Sequence, residues 1–227
     1  MKRLSLISAV IFFLLHGAPA AHAQGFSGYY KVTQGVNPDG TTYDAQVVVE
    51  PLYGAGLYRI HTRSPGSPPY EGVAILSGET LGAGWSDGPG FGVVVYKVDG
   101  GYLQGEWLAD SMGENLGTED LEGPPGLDGI YDIVDAYSPD TGEGYFGTVE
   151  IRPDGAGYYL QWTIGPYSYT GVGLLRNNLL IAAWGTRAGV SWYEKNANGL
   201  MARWTHMGAQ TTGKEDLVRL QKKKKSQ

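Results

Sequence analysis

From residue 27 to the end of its apolar patterning near residue 217, the chain is a succession of short apolar and aromatic runs. They are separated by turn residues every 8 to 13 positions or so. That rhythm predicts β-strands of a sandwich or barrel, and no stretch carries strong helical periodicity. In the first half the strands are expected near 27–33, 43–50, 56–63, 69–76, 80–86, 91–98 and 102–108. Asn37-Pro38-Asp39-Gly40, Gly54-Ala55-Gly56, Ser64-Pro65-Gly66, Gly78-Glu79 and Asp99-Gly100-Gly101 fall between them. Proline fixes φ and glycine reaches positive φ, so these are turns for a stated reason. Ser138-Pro139-Asp140, Pro153-Asp154-Gly155, Asn177-Asn178 and Asn196-Ala197-Asn198-Gly199 serve the second half in the same way.

The pattern occurs twice, at an offset that drifts from about 101 to 96 residues. Gly28-Tyr29-Tyr30 returns as Gly129-Ile130-Tyr131, and Val47, Val49 and Pro51 return as Val149, Ile151 and Pro153. Tyr70-x-Gly72-Val73 matches Tyr169-x-Gly171-Val172, and Trp85 matches Trp184. Gly92-Val93-x-x-Tyr96 matches Gly189-Val190-x-x-Tyr193, and Leu103 with Trp107 matches Leu200 with Trp204. The exits agree too, Gly117-x-Glu119-Asp120-Leu121 with Gly213-x-Glu215-Asp216-Leu217. The chain is therefore a tandem duplication, with repeat 1 over 24–122, repeat 2 over 127–217 and a linker over 123–126. Closing a meander hides its edges, so the expected fold is all-β, with two small antiparallel barrels of about seven or eight strands each. Alternatives are one larger barrel or sandwich that both repeats share, and an outer-membrane barrel. The last is disfavoured because the runs are shorter and richer in glycine than lipid-spanning strands.

The run Tyr-x-Gly-Val, an apolar strand ending in Trp, Gly-Val-x-x-Tyr and Leu-x-x-x-Trp resembles a bacterial exported tandem β-repeat family. Its members are mostly uncharacterised, and some carry a fibronectin-binding label. The resemblance covers both repeats. It implies architecture, and it carries no catalytic or ligand residue onto a position here. The likeness to avidin-like and lipocalin-like barrels is one of fold alone.

The first residues modify the picture of where this protein works. Lys2 and Arg3, the apolar run Leu4 to Leu15 and the Ala21-His22-Ala23 pattern read as a signal peptide over residues 1–23, with Ala18-Pro19-Ala20 as a second cut site. An uncleaved anchor helix is the rival reading. With no transmembrane segment left after cleavage, the destination is the periplasm or the medium. No cysteine is present, which removes a lipid-anchored form, disulfides and thiol chemistry. Loss of Lys2 and Arg3 takes the formal charge from −6 to −8. The lysines 222–225, within a basic tail over 218–227, leave the body more acidic still, so nucleic acid is not an expected partner. The tail itself reads as a solvated end, with weak attraction to acidic polymers as the alternative. The 36 glycines stand beside 16 tyrosines and 6 tryptophans, a mix that belongs to a folded β protein rather than a disordered one.

Chemistry is sparse. His61 and His206 occupy non-equivalent positions with no metal-like spacing, and no serine with a partner histidine supports a hydrolase. Gly208 to Lys214 nearly spells a phosphate loop, but Glu215 replaces the Ser or Thr that would hold magnesium. The acids Glu71, Glu106, Glu143, Glu150 and Glu194 align with Thr, Arg, Val or Lys in the other repeat, as solvent-facing positions do. Asp39-Gly40, Asp99-Gly100 and Asp154-Gly155 lack the ligand density of calcium loops and read as turns. No cofactor or metal is expected. The aromatics remain as ligand-binding candidates: Tyr70, Trp85, Tyr96, Tyr169, Trp184 and Tyr193, which recur in both copies, and Trp162 and Trp192, which occur in one. The expected function is a non-enzymatic binding protein whose partner is an extracellular protein or a glycan. A carrier of a small apolar ligand inside a barrel is the first alternative, and a sugar-active enzyme the second.

Overall fold

The computed structural model of the chain describes residues 25–113 and 115–221. The expected leader and the four-lysine run lie outside the described residues. Every regular element within them is a β-strand. Repeat 1 contributes β1 (Gly28–Val36), β2 (Thr42–Tyr43), β3 (Gln46–Pro51), β4 (Leu57–Arg63), β5 (Tyr70–Ser77), β6 (Thr80–Trp85), β7 (Gly92–Asp99), β8 (Tyr102–Ala109) and β9 (Gly117–Glu122). Repeat 2 contributes β10 (Gly129–Ser138), β11 (Glu143–Gly144), β12 (Gly147–Asp154), β13 (Gly157–Ile164), β14 (Tyr167–Arg176), β15 (Leu179–Trp184), β16 (Gly189–Asn196), β17 (Gly199–His206) and β18 (Gly213–Arg219). All seven strands expected in the first copy are present, and β9 adds an eighth long one.

These strands close into two eight-stranded antiparallel barrels, but neither barrel is a repeat. In barrel A the order is β18-β17-β16-β6-β5-β4-β3-β1, sealed by pairing of β1 with β18. In barrel B it is β10-β12-β13-β14-β15-β7-β8-β9, sealed by β9 with β10. Each repeat gives its first strands to one barrel and its last three to the other. The short β2 and β11 lie beside β1 and β10 as flaps.

The chain thus passes between barrels twice, from Trp85 to Gly92 and from Trp184 to Gly189. The two crossings bond to each other. Thr186 O accepts from Ser86 Oγ at 2.7 Å and from Asp87 N at 3.2 Å, and Arg187 Nε lies 2.8 Å from Asp87 Oδ2. Residues 123–126, expected to link two barrels, instead join neighbouring strands β9 and β10 inside barrel B. That segment is fastened by Gly123 N to Gly101 O and by the Tyr131 hydroxyl, which donates to the carbonyls of Pro124 and Gly126. The expected division is corrected accordingly: the sequence repeat and the folded unit are out of step by three strands.

Alternation explains two of the three cores. In β18, Gly213, Glu215 and Leu217 face inward, while Lys214 and Asp216 face solvent. Barrel A is filled by Tyr30, Val32, Val47, Val49, Ile60, Leu81, Tyr193, Leu200 and Leu217, and barrel B by Tyr96, Leu103, Leu121, Tyr131, Val149, Ile151, Leu160 and Leu180. The exchanged strands differ, because β6, β7, β15 and β16 each have five consecutive buried residues. Their outward side chains form a third core between the barrels, with Val73, Ile75, Val93, Val95, Leu174, Ile181, Val190 and Trp192. Gly82 and Gly84 of β6 leave the room for this approach. A Cβ on Gly82 would meet Val95 and Ile181 within 3.0 Å, and one on Gly84 would meet Ala183 at 2.8 Å.

The duplicated tryptophans follow one rule. Trp85 pairs with Gly189, Trp184 with Gly92, Trp107 with Gly117 and Trp204 with Gly213, each directly across a strand pair. In every case the indole covers the glycine so closely that a Cβ there would fall within 2.4 Å of the ring. An aromatic ring laid on a cross-strand glycine fixes register, since a slip of one residue would put a side chain under the ring. Two of these pairs, Trp85–Gly189 and Trp184–Gly92, lie where one repeat hydrogen-bonds the other.

Two outcomes follow from this architecture. A protease site inserted within 123–126 and cut in the folded protein should leave two fragments that co-elute as a 1:1 complex on size exclusion. Fragments that separate without denaturant would refute the exchange. Gly92→Ala and Gly189→Ala should each cost about 1–3 kcal/mol in urea unfolding by overpacking. Gly126→Ala, where an added Cβ meets nothing within 4 Å, should stay within about 0.5 kcal/mol of the parent.

Candidate ligand-binding site

Each barrel has a closed end and an aromatic end. At the closed end of barrel A, the Tyr30 hydroxyl donates to Phe26 O at 2.7 Å, and Arg219 ties down Ser27 O and Gly25 O. Tyr131 plays the same part in barrel B through residues 124–126. The opposite ends carry the duplicated tryptophans, brought together by the strands that change barrel.

At this end, a chain of edge-to-face rings runs Tyr43–Trp204–Trp85 in barrel A, with centroids 6.3 and 6.1 Å apart, and Tyr70 adds a tilted contact on Trp85 at 5.9 Å. Barrel B repeats it as Tyr145–Trp107–Trp184–Trp162, at 6.5, 6.0 and 6.3 Å. The fourth ring distinguishes the two. Thr62 sits where Trp162 sits, since both face the same neighbours, Tyr70 and Val47 in one barrel, Tyr169 and Val149 in the other. Beside the small Thr62, the Tyr70 ring reaches Trp85. In barrel B the Trp162 indole fills that place and itself contacts Trp184, while Tyr70 and Tyr169 are exposed to nearly the same degree, 39% and 43%.

Beneath each set of rings lies a buried carboxylate. Glu119 is 3% exposed and Glu215 is 4% exposed. Glu119 Oε1 accepts from the Tyr96 hydroxyl and from Trp162 Nε1 at 3.0 Å, and Oε2 accepts from the Tyr145 hydroxyl at 2.9 Å. Burial raises the Glu119 pKa, opposed by those three donors. Glu215 Oε1 accepts from the Tyr43 hydroxyl at 2.5 Å, while its Oε2 is buried with no protein partner among the described residues. Burial raises the Glu215 pKa as well, with only Tyr43 pulling it back. The tyrosines around them are pushed upward too, first by desolvation and then by the adjacent carboxylate, as for Tyr43, Tyr96, Tyr145 and Tyr193.

Over Glu119 the mouth of barrel B opens into a cavity of about 520 Å³. Its walls are Trp107, Trp162, Trp184, Tyr145 and Tyr169, with Ile164, Val94 and Met112, and its rim carries Asp110, Asp140 and Glu143. Small-ligand sites occupy this size range and pair an apolar wall with a few placed polar groups. A second cleft of about 750 Å³ lies between the barrels, against Phe26, Lys97, Arg176, Glu194 and Lys195. There Arg176 holds Glu194 in a two-point ion pair, both bonds 2.7 Å, so its best-placed charges are already matched.

The aromatics expected from sequence therefore divide. Trp162, Trp184 and Tyr169 meet in the barrel B cavity, and Tyr96 lies just below it on Glu119. Trp85, Tyr70 and Tyr193 belong to the corresponding end of barrel A. Trp192 does not join either set. Alternation along β16 turns Tyr193 inward and Trp192 outward, where it is 6% exposed in the inter-barrel core beneath the Arg176 guanidinium, 4.6 Å from the ring centroid. Its counterpart in repeat 1, Val95, lies in the same core.

The two residues at the bottom of the sites, Glu119 and Glu215, were within the matched exit motifs but were not among the candidates. The signal was a carboxylate on the inward phase of an alternating strand, between Gly and Leu, present in both copies. His61 lies between Glu50 and Glu71 at 3.5 and 3.1 Å, and Asp39 closes its own turn on Thr41. No group of three metal-ligating side chains occurs among the described residues. No protein-family model, curated protein or solved structure matches the chain. The chemistry of the site rests on its own residues.

The buried carboxylates set a pH dependence. A carboxyl whose folded pKa is raised holds its proton more firmly in the native state than in the unfolded chain, so its contribution is full below the ordinary value of 4.5. It is lost as pH rises through the folded value. Glu215→Gln should therefore gain stability relative to the parent as pH is raised from about 4 to 8, with a smaller change for Glu119→Gln, whose donors oppose the shift. Urea midpoints across that range check the sign, and a variant that loses stability relative to the parent as pH rises would contradict it.

Proposed function

We propose that the chain is an exported, non-enzymatic binding protein whose ligand is a small molecule seated in the mouth of barrel B. The observation that carries this reading is the cavity of about 520 Å³ walled by three tryptophans and two tyrosines. Of the two binding roles weighed from sequence, it favours the small-ligand carrier over recognition of a large protein or glycan, because the aromatic surface is concave and recessed. Aromatic walls bring large apolar contact without ordering many rotatable bonds. Glu119 supplies a fixed polar point at the floor, held by three donors. A carboxylate so committed suits orientation of a ligand more than proton transfer. The basic leader and small-residue cut site support export.

Tryptophan fluorescence titrations test the reading. The panel would contain one- and two-ring aromatic amines, alcohols and carboxylates, together with mono- and disaccharides. At least one class should bind saturably, and Trp162→Ala should weaken it about tenfold, roughly 1.4 kcal/mol. Trp192→Phe, at the seam between the barrels, should leave the affinity unchanged. Equal effects of the two substitutions, or no saturable binding by any class, would count against the cavity as the site.

A further inference from the structure

We propose that the barrel B cavity selects a cationic ligand, an organic ammonium ion on an apolar body of one or two rings. The inference rests on the reading of that cavity as the binding site and adds the sign of the ligand's charge.

The charged side chains lining the cavity are all of one sign. Glu119 lies at the floor and Asp110, Asp140 and Glu143 at the rim, with no lysine, arginine or histidine among the lining residues. An anionic ligand would meet repulsion from these carboxylates, while the Arg59 guanidinium reaches the backbone of the rim at Asp110 O, 3.4 Å away. The walls carry the same preference. Trp107, Trp162 and Trp184 line the cavity, and the electronegative face of an indole attracts an ammonium group within about 6 Å of its centroid. Their mutual edge-to-face packing at 6.0 and 6.3 Å keeps them from collapsing onto one another.

The floor has room for one more donor. A carboxylate accepts about four hydrogen bonds. Glu119 has two at Oε1, from Tyr96 and Trp162, and one at Oε2, from Tyr145. The remaining acceptor site is on Oε2, on a residue that lines the cavity. An N–H of a primary or secondary ammonium satisfies that site and offsets the solvation that Glu119 loses by burial. Binding the cation then favours ionised Glu119, so proton release accompanies binding wherever the carboxyl is protonated in the free protein.

The corresponding end of barrel A offers a comparison within the same molecule. Glu215 sits below Tyr43, Trp204 and Trp85, but Thr62 replaces the third tryptophan and the Tyr70 ring packs onto Trp85. The cation site is thus assigned to the barrel that received Trp162.

The test uses three probes of matched shape, 2-phenylethylamine, 2-phenylethanol and 3-phenylpropionate, titrated into the full mature chain by calorimetry. The amine should bind at least tenfold more tightly than the alcohol, with the propionate weakest. Glu119→Gln should remove most of the amine's advantage, weakening the amine at least tenfold and the alcohol by much less. Asp140→Asn with Glu143→Gln, exposed positions whose change should not disturb folding, should weaken the amine two- to threefold and steepen nothing else. Amine affinity should also rise with pH as Glu119 ionises. Alcohol binding as tight as the amine, lost in Trp162→Ala, would overturn the charge assignment and leave the cavity as a neutral site. Absence of binding by all three probes would overturn the cation assignment, and the cavity as the binding site falls with it only if the saccharides and two-ring compounds also fail to bind.

Discussion

A tryptophan ring lying on the glycine of the facing strand is the contact on which this molecule turns. Four such pairs are present, and each demands a residue without a side chain at one register position and an indole at the other. Two of them staple each repeat to the other, at the strand pairs β6–β16 and β15–β7. Where those rings stand, the third core and the aromatic ends of both barrels follow. The abundance of glycine, which in isolation would weaken a sheet, is what lets the rings pack flat at the barrel mouths.

The strand rhythm, the duplication and the closure into eight-stranded barrels were legible in the residues, because period-two alternation and turn chemistry are local properties. The exchange was not. Trp85 can be covered by Gly92 of its own repeat or by Gly189 of the other, and both glycines open the same Gly-Val-x-x-Tyr strand. Duplication makes the two pairings chemically alike, so no local signal separates them. A non-local trace was nevertheless present: β6, β7, β15 and β16 are apolar on both phases, unlike the alternating β1 or β18. A strand buried on both faces needs a second partner layer, and here that layer is the other barrel.

The site was legible in part, for a related reason. Trp162 drew attention as an aromatic present once, and it lies in the cavity. Trp192 drew attention on the same ground and lies in the seam, because uniqueness alone does not say which face of a strand a residue occupies. Glu119 and Glu215 passed unnoticed because a charged residue on a strand is ordinarily a solvent-facing one. Only their phase, inward with Gly117 and Leu121 or with Gly213 and Leu217, marks them as interior. Between the barrels Thr62 stands against Trp162, and with that exchange the ring against the duplicated tryptophan is Tyr70 in one barrel and Trp162 in the other.

The pairing of β1 with β18 brings the two ends of the described chain side by side, Tyr30 opposite Arg219. A load applied to those ends would peel β1 from β18 one hydrogen bond after another, opening barrel A like a seam from its closed end. Barrel B holds neither end of the described chain and is joined to barrel A along the backbone only through the two crossings. It is mechanically sheltered behind its neighbour, so the barrel with the open aromatic cavity is the last to feel tension on the molecule.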